Sequence, residues 1–417
     1  MRRTLDVYLH RDLVGQLVQD EHGEIAFHYT EHWLNNPSAR PLSHSLPLRK
    51  EPFARKECRP FFAGVLPEAG QREIIAKNLG ISARNDFAML EQIGGECAGA
   101  VTFIPVGGSL PGHDYRYRQL NGPELADILK VLPKRPLLAG DKDVRLSLAG
   151  AQDKIAVHVA GDQISIPLGG APSTHILKPA IERFAGIVFN EYLCLKLART
   201  IGLHAANAAI GRVETIDYLL IERYDRAVLP TPPGAPEQME RLHQEDFCQA
   251  LGIVSENKYQ NEGGPSLKQC FALVRELSGT PVIDLQRLLD AVIFNFLVGN
   301  HDAHGKNFSL LHHGATRLAP LYDVLSTACY PELTRKMAMK IGGEYVSDKI
   351  TPKQFEQLAD EAGLAKPMVK RRVPELAGAI LSKLPALAME NPNTTAVARL
   401  IQDHCTLALI KFKDTAH

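Results

Sequence analysis

Three features of the 417-residue sequence predict an α+β fold. Residues 3–30 alternate apolar and polar positions (Leu5, Val7, Leu9, then Ile25 and Phe27), which is strand periodicity. Residues 139–228 read as strands, a helix, then strands again. Residues 244–417 are mostly helical in period. The expected architecture is a small amino-terminal α/β domain over 1–110, a linker with a short helix over 111–138, and a two-lobed core. The small lobe, 139–228, is β-rich, and the large lobe, 229–417, is helical.

Each element has a local cause. Gly15 and Gly23 punctuate the first strands into an antiparallel set. Residues 66–93 carry helical spacing in Arg72–Lys77 and again in Asp86–Ile93. The stretch 105–123 holds Pro105, Gly107, Gly108, Pro111, Gly112, Gly122 and Pro123, so it reads as a boundary, and Lys134–Pro136 with Gly140 makes a second break. Val144–Leu148 reads as a strand, Ala149–Asp153 as a tight loop, and Lys154–Val159 as a strand that turns at Gly161-Asp162 and continues through Ile164 and Ile166. Thr174–Lys178 is a further strand closed by Pro179. Ile187–Ile201 is a helix with Gly202 just past its end. Strands follow at Ala208–Val213 and Tyr218–Arg223. Residues 229–236, Leu-Pro-Thr-Pro-Pro-Gly-Ala-Pro, read as an exposed loop. The helix Val282–Val298 sets Leu285, Leu288, Leu289, Val292, Ile293 and Phe296 on one stripe.

Bulk composition removes several classes of function. The 47 basic and 47 acidic side chains cancel, so no electrostatic footprint argues for nucleic acid or an anionic membrane as the principal partner. Seven cysteines, odd in number and without a C-x-x-C pair, fit reduced thiols better than a disulfide framework or a zinc ribbon. The Met-Arg-Arg start lacks an apolar signal core, and no run reaches the ~18 apolar residues that span a bilayer. A cytoplasmic protein without membrane contact is expected.

The chemistry concentrates in Asn300-His301-Asp302-Ala303-His304-Gly305-Lys306-Asn307, at the end of the apolar helix. Asp302 and Asn307 have the Asp-x4-Asn spacing of a kinase catalytic loop, in which the aspartate orients and deprotonates an acceptor hydroxyl and the asparagine holds Mg²⁺. Sixteen residues on, Leu321-Tyr322-Asp323 supplies a second metal carboxylate. Taken singly, each is a helix cap or a turn residue; together they point to phosphoryl transfer from ATP in a kinase-like two-lobed core. His301 and Asp302 are adjacent, so they lack the His-x-Asp of a two-His-one-carboxylate iron site. Gly299 to Lys306 mimics a phosphate-binding P-loop, but Asn307 stands where Ser or Thr is required. His312-His313 reads as a solvated turn.

Lys178 ends a strand, where a lysine can reach α- and β-phosphates, and Glu191 on the next helix shares a face with Val188, Leu195 and Ala198, so it needs a cationic partner such as Lys178. Ala149, Gly150, Ala151, Gln152, Asp153 and Lys154 form a short small-residue loop that lets backbone N–H groups approach phosphate. A phosphate on Ser147 would compete with it. Glu222, Arg223 and Tyr224 leave the last small-lobe strand where a hinge would meet adenine.

Several segments in the same order resemble the HipA family of bacterial toxin kinases: Leu146-Ser-Leu-Ala-Gly-Ala-Gln-Asp-Lys154, Leu220-Ile-Glu-Arg-Tyr-Asp-Arg226, His243-Gln-Glu-Asp-Phe-Cys-Gln249, Asn300–Phe308, Leu321-Tyr-Asp323 and Phe61-Phe-Ala-Gly-Val-Leu-Pro-Glu68. Ala69 stands where the family usually has the glycine of Pro-Glu-Gly. The resemblance covers nearly the whole chain. It implies a serine/threonine-protein kinase acting as the toxin of a type II toxin–antitoxin pair, with ATP and Mg²⁺ as cofactors and a HipB-like helix-turn-helix antitoxin as partner, through which it would meet DNA. By position, Asp302 is then the catalytic base, and Asn307 and Asp323 are the Mg²⁺ ligands. Lys178 contacts phosphate, residues 149–154 form the nucleotide loop, and residues 222–224 form the hinge. His304, Gly305, Lys306 and Tyr322 line the ATP site, and Ser147 is the serine autophosphorylated as an off switch. Family substrates include aminoacyl-tRNA synthetases, whose phosphorylation stalls translation. The competing readings are a small-molecule kinase and a catalytically inactive, antitoxin-bound corepressor.

Overall fold

The computed structural model describes residues 2–112, 115–229 and 238–413, the side chain of Lys413 excepted. The chain divides into two compact units: residues 1–179, 211–256 and 311–313 form the first, and residues 180–210, 257–310 and 314–417 the second.

The first unit opens with β1 (Arg3–Leu9), β2 (Asp12–Gln19) and β3 (Ile25–Tyr29), the antiparallel set read from the alternation. With β4 (Phe53–Ala54) and β5 (Val101–Pro105) they make one sheet in the order β4-β3-β2-β1-β5. The helix Arg55–Gly64 lays Phe62 against Phe27 and Phe103, with ring centroids 5.2 and 5.8 Å apart. A second sheet uses β6 (Arg116–Gln119), β7 (Ile155–Ala160), β8 (Gln163–Leu168), β9 (His175–Pro179), β10 (Ala208–Val213) and β11 (Ile216–Glu222), in the order β10-β11-β9-β7-β8-β6. One contiguous set of buried apolar side chains joins both sheets, from Leu5 and Phe27 to Ile155, Leu177 and Tyr218. Burial of that apolar surface, rather than local propensity, is what holds two short-stranded sheets together.

The second unit is mostly helical. Its longest helices are Ile187–Thr200, Pro281–Val298, Lys366–Glu390 and Thr395–Lys413. Phe355, on the helix Pro352–Ala362, stands edge-on to Phe296 and to Phe412, at 5.5 and 5.6 Å. Arg372 clasps the Asp290 carboxylate with two bonds of 2.7 and 2.9 Å, pinning the helix Lys366–Glu390 to Pro281–Val298.

Four expectations need correction. Val144–Leu148 is extended but is no strand: it makes only an isolated bridge, Leu146 to Glu96, because the Ser147 N–H and the Arg145 carbonyl are both taken by the backbone of Glu96. Residues 244–417 also hold short strands, among them Ala315–Leu318, Lys336–Ile341 and Glu344–Val346; in Lys336–Ile341 the apolar Met337, Ala338 and Met339 run together rather than alternate, and the other two are very short. His312 is half-buried rather than solvated, its Nε2 meeting Glu245 Oε1 at 3.1 Å and its ring stacking on His243 at 5.5 Å, while His313 is exposed as expected. The helix read as Ile187–Ile201 ends at Thr200. Of the Pro-rich loop expected at 229–236, Leu229 ends the strand Arg226–Leu229 and the rest lies outside the described residues.

Candidate active site

The helix Pro281–Val298 stops at Gly299, whose φ of 73° is left-handed; a Cβ there would lie 2.9 Å from Ala328 Cβ and 2.8 Å from the His404 ring. The chain then enters the Asn300–Asn307 loop under a dense set of restraints. Asn300 Nδ2 donates to Asn295 Oδ1 at 2.7 Å, while Asn300 Oδ1 accepts the Asp302 N–H at 3.2 Å. The His301 N–H donates to Thr327 Oγ1 at 2.8 Å, and its carbonyl accepts the Ala338 N–H at 2.8 Å. Asp302 is exposed, whereas His304, Lys306 and Asn307 are buried. A loop this fully bonded can hold a carboxylate in solvent reach without leaving it loose.

Asn307 is oriented at both ends of its amide. Its Oδ1 accepts the His304 N–H at 3.1 Å, and its Nδ2 donates to Asp323 Oδ2 at 3.0 Å. Asp323 occupies the left-handed region, with φ 55°, a conformation that costs a non-glycine residue on the order of 1–3 kcal/mol. Its neighbours supply the restraint. Leu321 donates to the His204 carbonyl at 2.8 Å and accepts from the Ala206 N–H at 2.8 Å. The Tyr322 hydroxyl donates to the Lys306 carbonyl at 2.6 Å and lies 2.7 Å from Ser309 Oγ. Asn190 forms a closed pair with the backbone of Ser326, at 2.8 and 2.9 Å, tying the helix Ile187–Thr200 to the segment after Asp323. Asp302, His304, Gly305, Lys306, Asn307, Tyr322 and Asp323 therefore come together in the second unit. Among the described residues no group of three or more His, Cys, Asp or Glu side chains is placed to hold a metal. Burial pushes the His301 imidazole pKa down, favouring its neutral form.

The other expected residues lie in the first unit. Ser147 is fully buried; its Oγ donates to the Val65 carbonyl at 2.8 Å and its N–H to the Glu96 carbonyl at 2.9 Å. In the loop Ala149–Lys154, Gly150 has φ 109°, its carbonyl accepts the Glu68 N–H at 3.2 Å, and a Cβ on it would fall 2.5 Å from Lys154 Nζ. Ala151 and Gln152 form a bend between Gly150 and Asp153, whose carboxyl accepts from Gln71 and has its pKa raised by burial. Lys178 is buried on β9, opposite Leu219 of β11. Glu222 is exposed at the end of β11; the Arg223 N–H is spent on the Thr174 carbonyl at 2.9 Å, and the Tyr224 hydroxyl donates to Gln244.

Sequence reasoning missed the residue that links these pieces. Glu96 is completely buried and accepts from Arg226 at 2.7 Å, from Arg223 at 3.2 Å and from Ser173 Oγ at 2.8 Å. Burial alone would raise its pKa, but Arg226, Arg241 and Arg223 outweigh burial and hold it at about 2. Its backbone carries Ser147 while its side chain carries the segment that follows Glu222. The His243–Gln249 run also proves to be structural: His243 Nε2 is 2.8 Å from the Leu42 carbonyl, Glu245 accepts from Ser43, and Gln249 donates to the Phe61 carbonyl at 3.0 Å. Tyr259, likewise unmarked in the sequence, donates its hydroxyl to Asp302 Oδ1 at 2.8 Å.

Two family models match the chain in succession: the HipA N-terminal domain over residues 5–104 and the HipA-like C-terminal domain over residues 146–384. The chain belongs to the HipA family. It is 44% identical over 408 residues to the Y4mE protein of Sinorhizobium fredii, covering 96% of this chain and 92% of that one. It is 30% identical over 404 residues to the serine/threonine-protein kinase toxin HipA of Shewanella oneidensis, covering 92% and 90% respectively. The structure of that organism's HipA, solved with HipB and operator DNA, superposes with a TM-score of 0.85 over 98% of both chains at 27% identity. The α+β, kinase-like fold expected from the sequence is thus the fold of this HipA homologue, which is related to a serine/threonine kinase toxin over nearly its whole length. Among the described residues no helix is long and apolar enough to cross a membrane.

Proposed function

We propose that this HipA homologue transfers the γ-phosphoryl group of ATP to a serine or threonine of a protein, as the toxin of a type II toxin–antitoxin pair. The observation that carries the reading is the Asn307–Asp323 contact of 3.0 Å beside the exposed Asp302. Two carboxylates and an amide of the kind phosphoryl transfer needs are involved: Asp302 and Asn307 on one buttressed loop, and Asp323, from sixteen residues on, bonded to Asn307.

In this reading Asp302 accepts the hydrogen bond of the acceptor hydroxyl, sets it in line and takes its proton as the P–O bond forms. Asn307 Oδ1 and the Asp323 carboxylate would hold Mg²⁺; two protein oxygens suit an ion that usually takes one or two carboxylates plus substrate phosphates. When bound, the metal neutralises charge on the β- and γ-phosphates. His304, Gly305, Lys306 and Tyr322 shape the same surface: Tyr322 fixes the Lys306 carbonyl, and the His304 N–H fixes the Asn307 amide. Lys178 and the loop Ala149–Lys154 serve the phosphates, and the backbone at Glu222 and Tyr224 serves adenine; Arg223 contributes rigidity through Asp225 and Glu96.

Ser147 is the residue autophosphorylated to switch the enzyme off. Its burial against Val65 means that the segment must open before it can be modified, and a dianion could not return to that place. The partner is a HipB-like helix-turn-helix antitoxin, which brings the kinase to DNA, and the protein target is an aminoacyl-tRNA synthetase or an enzyme of comparable leverage on translation. Incubating the Ser147→Ala protein with cell lysate and labelled ATP tests the acceptor class. Label in discrete protein bands is expected; label confined to the small-molecule fraction would instead assign a metabolite kinase.

A further inference from the structure

Tyr259 belongs to none of the motifs that mark the site, yet it touches the most important residue in it. Its hydroxyl donates to Asp302 Oδ1 at 2.8 Å, and its ring stands edge-on to His304 with centroids 5.3 Å apart at 84°. The segment that carries it is built to hold one shape. The Tyr259 carbonyl accepts the N–H groups of Glu262 at 2.9 Å and Gly264 at 2.8 Å, and a Cβ on Gly264 would fall 2.4 Å from the Asn257 carbonyl oxygen.

The strand Lys336–Ile341 then fixes both partners at once. The Lys340 N–H donates to Gln260 Oε1 at 2.7 Å, one residue past Tyr259. Two residues earlier on the same strand, the Ala338 N–H donates to the His301 carbonyl at 2.8 Å, one residue before Asp302. The strand thus restrains the residue before Asp302 through its backbone and the residue after Tyr259 through the Gln260 side chain, which limits how far phenol and carboxylate can move apart.

We propose that Tyr259 is a positioning residue for the catalytic carboxylate. With Oδ1 engaged by the phenol, the plane of the Asp302 carboxylate is fixed, and Oδ2 is given a constant direction toward the acceptor hydroxyl. The phenol keeps its proton throughout; the proton taken from the acceptor goes to Asp302. A carboxylate free to rotate spends part of its time in geometries that do not react, so orientation appears in turnover rather than in ATP binding. This inference rests on Asp302 being the base.

The test measures ADP formation by the full chain from ATP and Mg²⁺, with myelin basic protein supplied as a generic serine/threonine acceptor, for the wild type, Tyr259→Phe and Asp302→Asn. Tyr259→Phe keeps the ring on His304 and removes only the hydroxyl. It is expected to lower kcat about tenfold, the scale of one hydrogen bond to an ion, with KM for ATP held within about twofold and Tm unchanged. Wild-type turnover in Tyr259→Phe, or a loss carried by KM for ATP, overturns the positioning role. So does recovery of label on Tyr259 itself, which would make it an acceptor. If the wild type makes no ADP, or Asp302→Asn makes it as fast, the reading of Asp302 fails first and takes this inference with it.

Discussion

Asn307 Nδ2 donates to Asp323 Oδ2 across 3.0 Å, joining two residues sixteen positions apart. The contact gives each a defined orientation: the amide cannot rotate without losing either Asp323 or the His304 N–H, and the carboxylate is aimed by a left-handed backbone.

Asn307→Ala removes the amide oxygen and releases Asp323, and Asp323→Asn removes the negative charge and one of the two oxygens. Asn307→Ala and Asp323→Asn are each expected to lower phosphoryl transfer by about a hundredfold or more, with the fold intact. Steady-state ADP formation beside far-UV circular dichroism checks this; activity within about threefold of wild type in Asp323→Asn would remove that residue from the ligand set.

The buried Ser147 hydroxyl donates to the Val65 carbonyl, so Ser147→Ala leaves that acceptor unpaired and is expected to cost about 1–3 kcal/mol. Ser147→Glu places a charge where no cation pairs with Ser147 and is expected to displace the segment 146–153. Limited proteolysis reads the outcome: new cleavage within 146–153 in Ser147→Glu and none in Ser147→Ala.

Ala69 has φ 45°, the left-handed conformation for which the family's glycine is suited. The alanine adopts this backbone shape at an energetic cost at the first residue of the helix Ala69–Leu79, where the Glu68 N–H bonds the Gly150 carbonyl at 3.2 Å. Ala69→Gly is expected to stabilise the first unit by about 1 kcal/mol, offset in part by the greater freedom of glycine in the unfolded chain. A lower denaturation midpoint in urea would contradict this.

Glu96 carries a pH dependence whose sign follows from its depressed pKa. The unfolded chain protonates near 4.5 and the folded one at about 2, so its contribution to stability is complete above pH 4.5 and is lost as the pH falls toward 2. Glu96→Gln removes one of the two carboxylates, with Asp225, that offset the buried Arg223 and Arg226, and is expected to cost about 3–5 kcal/mol at pH 7 and to flatten the acid limb of the stability profile between pH 4.5 and 2. Urea unfolding across that range, wild type against variant, makes the comparison.

What was legible in the sequence was local chemistry. That Asn307 and Asp323 meet could be anticipated because phosphoryl transfer would need such residues at short, fixed spacings after an apolar helix, and the structure brings them within 3.0 Å. The alternation of β1–β3 and the stripe of Pro281–Val298 could be read because each buries one face. Tyr259, Glu96 and Asn190 could not: their partners lie 43, 130 and 136 residues away, and nothing in a lone Tyr, Glu or Asn announces a tertiary contact. His312 was misread for the same reason, since adjacent histidines look solvated until Glu245 is folded beside them. The extended run Val144–Leu148 shows the remaining kind of error. Its residues have strand character, but its backbone meets Glu96 in one isolated bridge and its side chains bond other segments, so no ladder forms.

The most direct test of the central claim is incubation of the purified protein with γ-labelled ATP and Mg²⁺ beside Asp302→Asn, with ATP binding followed by calorimetry in the same samples. Label transferred by the wild type and lost by about a thousandfold in Asp302→Asn, with ATP still bound by both, is the predicted result. Transfer by Asp302→Asn at the wild-type rate would contradict the assignment of Asp302 as the base, and with it the phosphoryl-transfer site built around Asn307 and Asp323.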